Sequence, residues 1–415
     1  MSSTAWRLGT RIIHSGFAPS EAGATALPII QSTGFAHGSA EEIEAVFAGR
    51  EAGFVYSRIS NPTVTALEAR LAGMEDGLGA IAVSSGMAAI SSLVLALAGS
   101  GDEIVAGRSL FGGTYSLFRH TLGRYGIGVR LVDPRDPAAV RAAVGDKTRL
   151  VFVETIGNPK LDVPDIVAIA AITRECGVPF AVDSTVTTPV LIQPRRLGAD
   201  LIVHSASKFI NGHGNAIGGV IVDAGTFDWS NPRFQHMEPF RSRVGRFALL
   251  ALLRNRICRD TGCCLTPFNA FLLGMGLETL DVRMERHCAN AARVVAFLSS
   301  HPKVEATMYP GLDAHPDHML AKRQFGGRYG ALVTLRLGTK ERCFSFINRL
   351  RLAKILANLG DTRTLVIHPA STFCRDFDAE ERCAMGAPDD VVRLSVGIED
   401  PADILDDVDQ ALAGL

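Results

Sequence analysis

No apolar run in this chain reaches the roughly 18 residues that a membrane-spanning helix needs. The N-terminus, Met1-Ser-Ser-Thr-Ala-Trp-Arg7, has no signal-peptide apolar core. Both absences point to a cytoplasmic protein without a membrane partner. Basic clusters are missing as well, and the formal net charge is −1, which argues against nucleic acid as a partner. The eight cysteines include no Cys-x-x-Cys spacing, and Cys263 and Cys264 are adjacent. They read as reduced thiols, not as a disulfide frame or a zinc site, and no metal is expected. Internal repeats and low-complexity segments are absent too. What remains is 415 residues, 47% hydrophobic and 20% charged, an ordinary composition for an enzyme of two or three domains.

One stretch organises the rest: Asp200-Leu-Ile-Val-His-Ser-Ala-Ser-Lys-Phe-Ile-Asn-Gly-His-Gly214. Leu201–His204 reads as a short buried strand that delivers Ser205, Ser207 and Lys208 at its C-terminal end. Burial lowers a lysine's pKa, so an amine placed here can lose its proton and condense with a carbonyl. The serine hydroxyls could hold a phosphate beside it. That combination suggests pyridoxal phosphate on a Schiff-base lysine, although the segment alone also fits a surface loop lysine. A second apolar strand, starting at Val178, ends in Asp183. A carboxylate there would keep the cofactor's pyridine nitrogen protonated; a turn or cap acid is the plainer alternative.

Strand and helix alternate through the first two thirds of the chain. Expected strands are Ala80–Val83, Glu103–Ala106, Gly128–Val132, Leu150–Val153, those ending at Asp183 and His204, and Gly219–Val222. Helices are expected over 63–73, 88–98, 114–123 and 166–176. This pattern implies an α/β fold whose parallel sheet is covered on both faces, with ligands outside the strands' C-terminal ends. Gly86, Asn158, Asp183 and Lys208 all fall at such ends. Residues 1–58 show little periodicity, and 227–260 read as an irregular insertion. A long helical stretch from about 267 to 298 precedes a smaller mixed domain with strands near 331–335 and 390–396. A last helix begins at the Glu399-Asp-Pro turn.

The pieces Tyr56-Ser-Arg58-Ile-Ser-Asn-Pro62, Ser84-Ser-Gly-Met87, His204-Ser-Ala-Ser-Lys208 and Arg393-Leu-Ser-Val-Gly397 resemble the Cys/Met-metabolism family of pyridoxal-phosphate enzymes. They span almost the whole chain. The resemblance implies the fold of aspartate aminotransferase-like (fold type I) transferases. It divides the chain into an arm over 1–60 that reaches the neighbouring subunit, a cofactor-binding domain over 61–258 and a C-terminal domain over 259–415. It further implies a homo-oligomer, a dimer of dimers, with shared active sites. The amides of Gly86 and Met87, with Ser205 and Ser207, would hold the cofactor phosphate, joined by Tyr56 and Arg58 from the neighbour. Thr185 belongs to the cofactor-binding set, Phe111 would stack on the cofactor ring, and Asn158 would lie near its phenolate oxygen. Arg393 would grip the substrate carboxylate, with Asn358 and Tyr56 also near the substrate. On the residues alone, the arm could be a loosely ordered terminus, Gly86 and Asn158 plain turn residues, and Arg393 the partner of a structural acid.

Phe111 stands where the family usually carries tyrosine, so no hydroxyl remains there to move protons. A carboxylate leaving an acyl ester needs no proton, whereas a thiolate leaving a thioether benefits from one. Asn358, and the segments around Gly219–Asp223 and Phe227–Trp229, lean the same way, toward the family's O-acetylhomoserine sulfhydrylases. The expected reaction replaces the acyl group of an O-acylhomoserine by sulfide to give homocysteine. Methionine or cystathionine γ-lyase, O-succinylhomoserine sulfhydrylase and cystathionine γ-synthase are the alternatives. A non-enzymatic scaffold is at odds with Asp183, Lys208 and Arg393 all being present.

Overall fold

The computed structural model describes residues 6–16 and 23–415. Its larger sheet holds seven strands: β1 (Gly79–Val83), β2 (Glu103–Gly107), β3 (Gly128–Val132), β4 (Thr148–Glu154), β5 (Phe180–Asp183), β6 (Leu201–His204) and β7 (Gly219–Asp223). Their spatial order is β1-β7-β6-β5-β4-β2-β3. Only β7 runs against its neighbours, being antiparallel to both β1 and β6. Every other adjacent pair is parallel. The six remaining strands therefore present their C-terminal ends along one edge, where open α/β sheets bind ligands.

Strands buried on both faces read as unbroken apolar runs, and β4, β5 and β6 do so. Because side chains alternate across a strand, each run feeds two cores. Val151, Val153 and Ile202 pack on one face, while Leu150, Phe152, Leu201 and Val203 pack on the other.

A second sheet of five strands lies in the C-terminal part, in the order β10-β11-β12-β9-β8. These strands are β8 (Ala306–Met308), β9 (Leu332–Arg336), β10 (Lys354–Ile355), β11 (Leu365–Ile367) and β12 (Val391–Ser395). β9 and β12 are the two that alternation reveals; the other three are too short to show a period. Among the described residues no helix is long and apolar enough to cross a membrane.

Three stretches differ from the sequence reading. The helix expected over 114–123 is an α-turn at Gly112–Ser116, a π-helical turn at Leu117–Thr121 and a 3-10 turn at Leu122–Tyr125. Glycines at 112, 113 and 123 weaken regular α-winding there. The expected irregular insertion at 227–260 is instead a chain of short helices from Pro232 to Thr261. Pro232, Pro239 and Gly245, the last with φ of 57°, interrupt the period that would have revealed them. The N-terminal arm also contains regular structure, in helices Leu8–His14 and Ala40–Phe47. The first of these packs on its own chain, with Ile12 buried against helices Pro62–Met74 and Pro267–Glu278. Residues 1–5 and 17–22 of the arm lie outside the described residues.

Candidate active site

A cavity of about 1000 Å³ opens at the C-terminal edge of the large sheet. Gly86, Met87, Phe111, Asn158, Asp183, Thr185, Ser205, Ser207, Lys208, Asn358 and Arg393 all line it. Tyr56 and Arg58 do not. Tyr56 is exposed, and Arg58 stacks over its ring and donates to the carbonyl of Arg259.

The turn after β1 leads into helix Gly86–Leu97, which Ser85 caps by accepting the Ala88 N–H at 3.0 Å. Among the described residues the amides of Gly86 and Met87 meet no acceptor; they stand at the positive end of the helix dipole, a geometry that suits phosphate. Glycine is required at position 86: a Cβ there would lie 2.6 Å from the Ser205 Cβ. Ser205 keeps its hydroxyl unpartnered among the described residues. Ser207 is different. Its hydroxyl donates to the Gly218 carbonyl at 3.1 Å and accepts the Gly218 N–H at 3.0 Å, so it is already engaged.

Asp183 ends β5, level with Glu154 on β4. Burial pushes the Asp183 carboxyl up, opposed by hydrogen bonds from Thr185, whose N–H donates to Oδ1 at 2.9 Å. Thr185 Oγ1 in turn accepts the Ser205 N–H at 2.8 Å, tying the ends of β5 and β6 together. No cation pairs with Asp183 among the described residues. A pyridinium nitrogen would supply one.

Lys208 is largely buried. Burial first, and the Arg393 charge second, bring its amine down to about 8. Its Nζ donates to Asn358 Oδ1 at 2.6 Å. Asn358 also accepts Arg393 Nη2 on its backbone carbonyl at 2.9 Å, and Asn158 Oδ1 takes Arg393 Nη1 at 2.9 Å. Among the described residues the Arg393 guanidinium is thus buried against neutral acceptors, with no acidic partner and with its Nε unbonded. Burial lowers it to about 10. A buried cation without a counter-ion fits the carboxylate of an incoming amino acid.

Two cavity residues, and one buried pair behind the cavity, escaped the sequence reading. Glu154 is buried, and its Oε1 accepts the Phe111 N–H at 2.7 Å. Burial and then the neighbouring Asp183 charge raise its carboxyl well above the usual range. The signal was there: β4, like β5, is an apolar strand ending in an acid. Phe373 faces Phe111 with ring centroids 6.2 Å apart and lies 5.0 Å under the Arg393 guanidinium. It sits in an irregular loop with no periodic signal. Behind the site, His204 Nε2 and Glu75 Oε1 form a fully buried pair at 2.7 Å.

A depressed lysine, an unpaired strand-end carboxylate and free helix N-terminal amides fit the aldehyde, the pyridine nitrogen and the phosphate of one cofactor. Fold and site together define a pyridoxal-phosphate-dependent enzyme of the aspartate-aminotransferase-like class. Residues 9–413 match the family of Cys/Met metabolism PLP-dependent enzymes, and the chain belongs to that family. It is 40% identical over 426 residues to an O-acetyl-L-homoserine sulfhydrylase of Leptospira meyeri, covering 98% of this chain and 96% of the relative. It is also 40% identical over 406 residues to an L-methionine gamma-lyase of Treponema denticola, covering 96% and 95%. The crystal structure of a proposed O-acetylhomoserine (thiol)-lyase from Campylobacter jejuni superposes with a TM-score of 0.96 at 33% identity. That match covers 98% of this chain and 100% of the other, which carries a pyridoxyl-lysine monophosphate.

Proposed function

We propose that this enzyme replaces the acyl group of an O-acylhomoserine, acetyl in the first instance, by sulfide to give homocysteine. The observation that carries the reading is Phe111. It lines the cavity beside the Lys208–Asp183 centre and brings no hydroxyl. Phe373 extends the same apolar wall. A carboxylate leaves from the γ-carbon without a proton; a thiolate leaves poorly without one. The family resemblance at Asn358 supports the same choice.

Bound pyridoxal phosphate supplies an electron sink for the carbanions formed beside the substrate nitrogen. The protein does the rest. Arg393 holds the α-carboxylate, oriented by Asn158 and the Asn358 carbonyl. Lys208 Nζ, brought down to about 8 by burial, takes the α-proton in its neutral form and returns protons further along the chain of carbons. Asn358 steadies that amine through its side-chain oxygen. Asp183 keeps the ring nitrogen protonated, and Thr185 fixes its rotamer. Gly86, Met87 and Ser205 receive the phosphate, with Ser207 bracing their loop through Gly218. Tyr56 and Arg58 complete the phosphate site of a neighbouring copy, in a homo-oligomer of at least two chains.

The test offers O-acetylhomoserine, O-succinylhomoserine, cystathionine and methionine in turn, with and without sulfide, and identifies the products. Homocysteine from an acyl ester plus sulfide should form about tenfold or more faster than any thioether is cleaved. Phe111→Tyr should raise thioether cleavage more than ester turnover. Faster conversion of methionine to 2-oxobutanoate and a thiol by the unaltered protein would replace this reading with the γ-lyase one.

A further inference from the structure

Beside the cofactor site, two thiols meet around the end of a helix. The chain of short helices closes with the π-helical turn Leu253–Cys258 and the last turn Arg259–Thr261. Gly262, at φ of 75°, then takes the left-handed conformation that stops a helix and donates its N–H to the Cys258 carbonyl at 3.0 Å. Such a stop folds the following residue back over the helix's last full turn. The residues so opposed are Cys263 and Cys258. Their side chains come close enough for each thiol to influence the other's titration. Cys263 is partly accessible, whereas Cys258 is buried.

Cys263 sulfur lies beside two hydroxyls. Ser92 Oγ is 3.3 Å from it, and Thr261 Oγ1, whose shorter bond at 2.7 Å goes to the Ile257 carbonyl, is 3.4 Å from it. The Cys258 thiol first, with these hydroxyls, holds the Cys263 thiol below the ordinary range, while Cys258 is pushed up. The remaining buried thiols have the opposite surroundings: burial raises Cys288 to about 11 and both Cys343 and Cys374 to about 12. A thiolate next to a resolving thiol is the arrangement on which reversible cysteine oxidation depends.

The pair is also joined to the phosphate turn. Cys263 carbonyl accepts the Ser84 N–H at 2.8 Å, and Cys264 bridges to Val83 at the end of β1. Ser92 belongs to the helix whose first amides are those of Gly86 and Met87. One turn of backbone therefore links the thiols to both sides of the Ser84–Met87 turn.

We propose that Cys258 and Cys263 are a redox-active dithiol whose oxidation to a disulfide loosens cofactor retention. The oxidant is a hydroperoxide. Cys263 thiolate attacks its outer oxygen and becomes a sulfenic acid, and the peroxide leaves as an alkoxide that takes up a proton. Cys258 sulfur then attacks the Cys263 sulfur. The S–S bond forms, and hydroxide leaves with the Cys258 proton as water. Two thiols lose two electrons in all, and one peroxide gains them. Oxidation withdraws the charged sulfur from Ser92 and so releases the helix of the phosphate turn from its anchor.

The experiment treats the cofactor-loaded protein with hydrogen peroxide at near-stoichiometric amounts, blocks free thiols and maps peptides by mass. The peptide pair holding Cys258 and Cys263 should be joined and two hydrogens lighter, and dithiothreitol should reverse this. Release of cofactor on dilution, followed by visible absorbance, should be about tenfold faster in the oxidised protein, the effect of losing one hydrogen bond to a charged acceptor. Cys263→Ser should make release indifferent to peroxide. Oxidation that falls first on exposed Cys383 and leaves Cys258 and Cys263 as thiols would overturn the site. Faster release that persists in Cys263→Ser, or a disulfide that leaves release unchanged, would overturn its link to the cofactor.

Discussion

At the scale of single residues the site is a matter of charges without partners. Lys208 is surrounded by apolar walls and a second cation, so its amine is neutral far more often than an exposed lysine's. Condensation with an aldehyde requires that neutral amine. The rate at which cofactor-free protein takes up pyridoxal phosphate should therefore climb about tenfold per pH unit and level off near pH 8. A rate that keeps climbing to pH 10 would show the amine to be ordinary. Arg393 is the complementary case, a fixed cation that waits for an anion. Arg393→Lys keeps the charge but loses the planar fork held by Asn158 and Asn358. KM for the amino acid should rise about tenfold or more, in keeping with the 1.5–3 kcal/mol of a charge-assisted hydrogen bond. The kcat should fall less than KM rises. An unchanged KM would remove Arg393 from carboxylate binding.

At the scale of elements, adjacent strand ends share one electrostatic problem. β4 and β5 bring Glu154 and Asp183 side by side at the same level of the sheet. Two buried carboxylates so placed do not both ionise readily. Burial and the Asp183 charge favour the neutral form of Glu154, whose acceptor role toward the Phe111 N–H needs no charge; in the proposed function Asp183 is the one that would meet the cofactor's nitrogen. Glu154→Gln preserves that acceptor and should leave cofactor affinity within about threefold of the parent and folding stability nearly unchanged. Glu154→Ala strands the Phe111 N–H, which should cost about 1–3 kcal/mol of stability by denaturant unfolding and shift the cofactor's absorbance band. Equal damage from both variants would mean that Glu154 acts as an anion.

At the scale of the whole molecule, the proposed function makes the cavity one copy's contribution to a larger site. Its lining includes the start of helix Gly86–Leu97 and Ser205, while Arg58 and Tyr56 stand outside it, in keeping with a phosphate site that a neighbouring copy would complete. Residues that belong to a neighbour's site give a distinctive genetic result. Arg58→Ala and Lys208→Ala should each be nearly inactive alone. Mixed under conditions of subunit exchange, they should recover up to about a quarter of parental activity, because a mixed dimer gathers both lesions in one site and leaves the other intact. No recovery, with exchange confirmed by differently tagged chains, would show that Arg58 serves its own chain.

Much of this was legible in the chain itself, for definite reasons. A strand buried on both faces must be an apolar run, and a run that stops at Asp183 or just before Lys208 places those groups at the edge where ligands bind. Local chemistry thus determined the large sheet, the Ser84–Met87 turn and the placing of Lys208 and Asp183 at strand ends. Helix Ile166–Cys176 has the bounds its periodicity predicts, between Asp165 and Gly177. Contacts between residues far apart in sequence left no such trace. That Asn358 touches Lys208, that Phe373 underlies Arg393, and that β7 turns back between β1 and β6 depend on where the second sheet and its loops come to rest. The short helices of 232–261 were hidden because each is shorter than the window a period needs. Tertiary packing alone stabilises them and brings Cys258 and Cys263 to the phosphate turn. The sequence alone determined which groups stand together at one edge of the sheet. Only the folded chain decided which neighbours set their charge, because burial and opposition are properties of the assembled core and not of any segment.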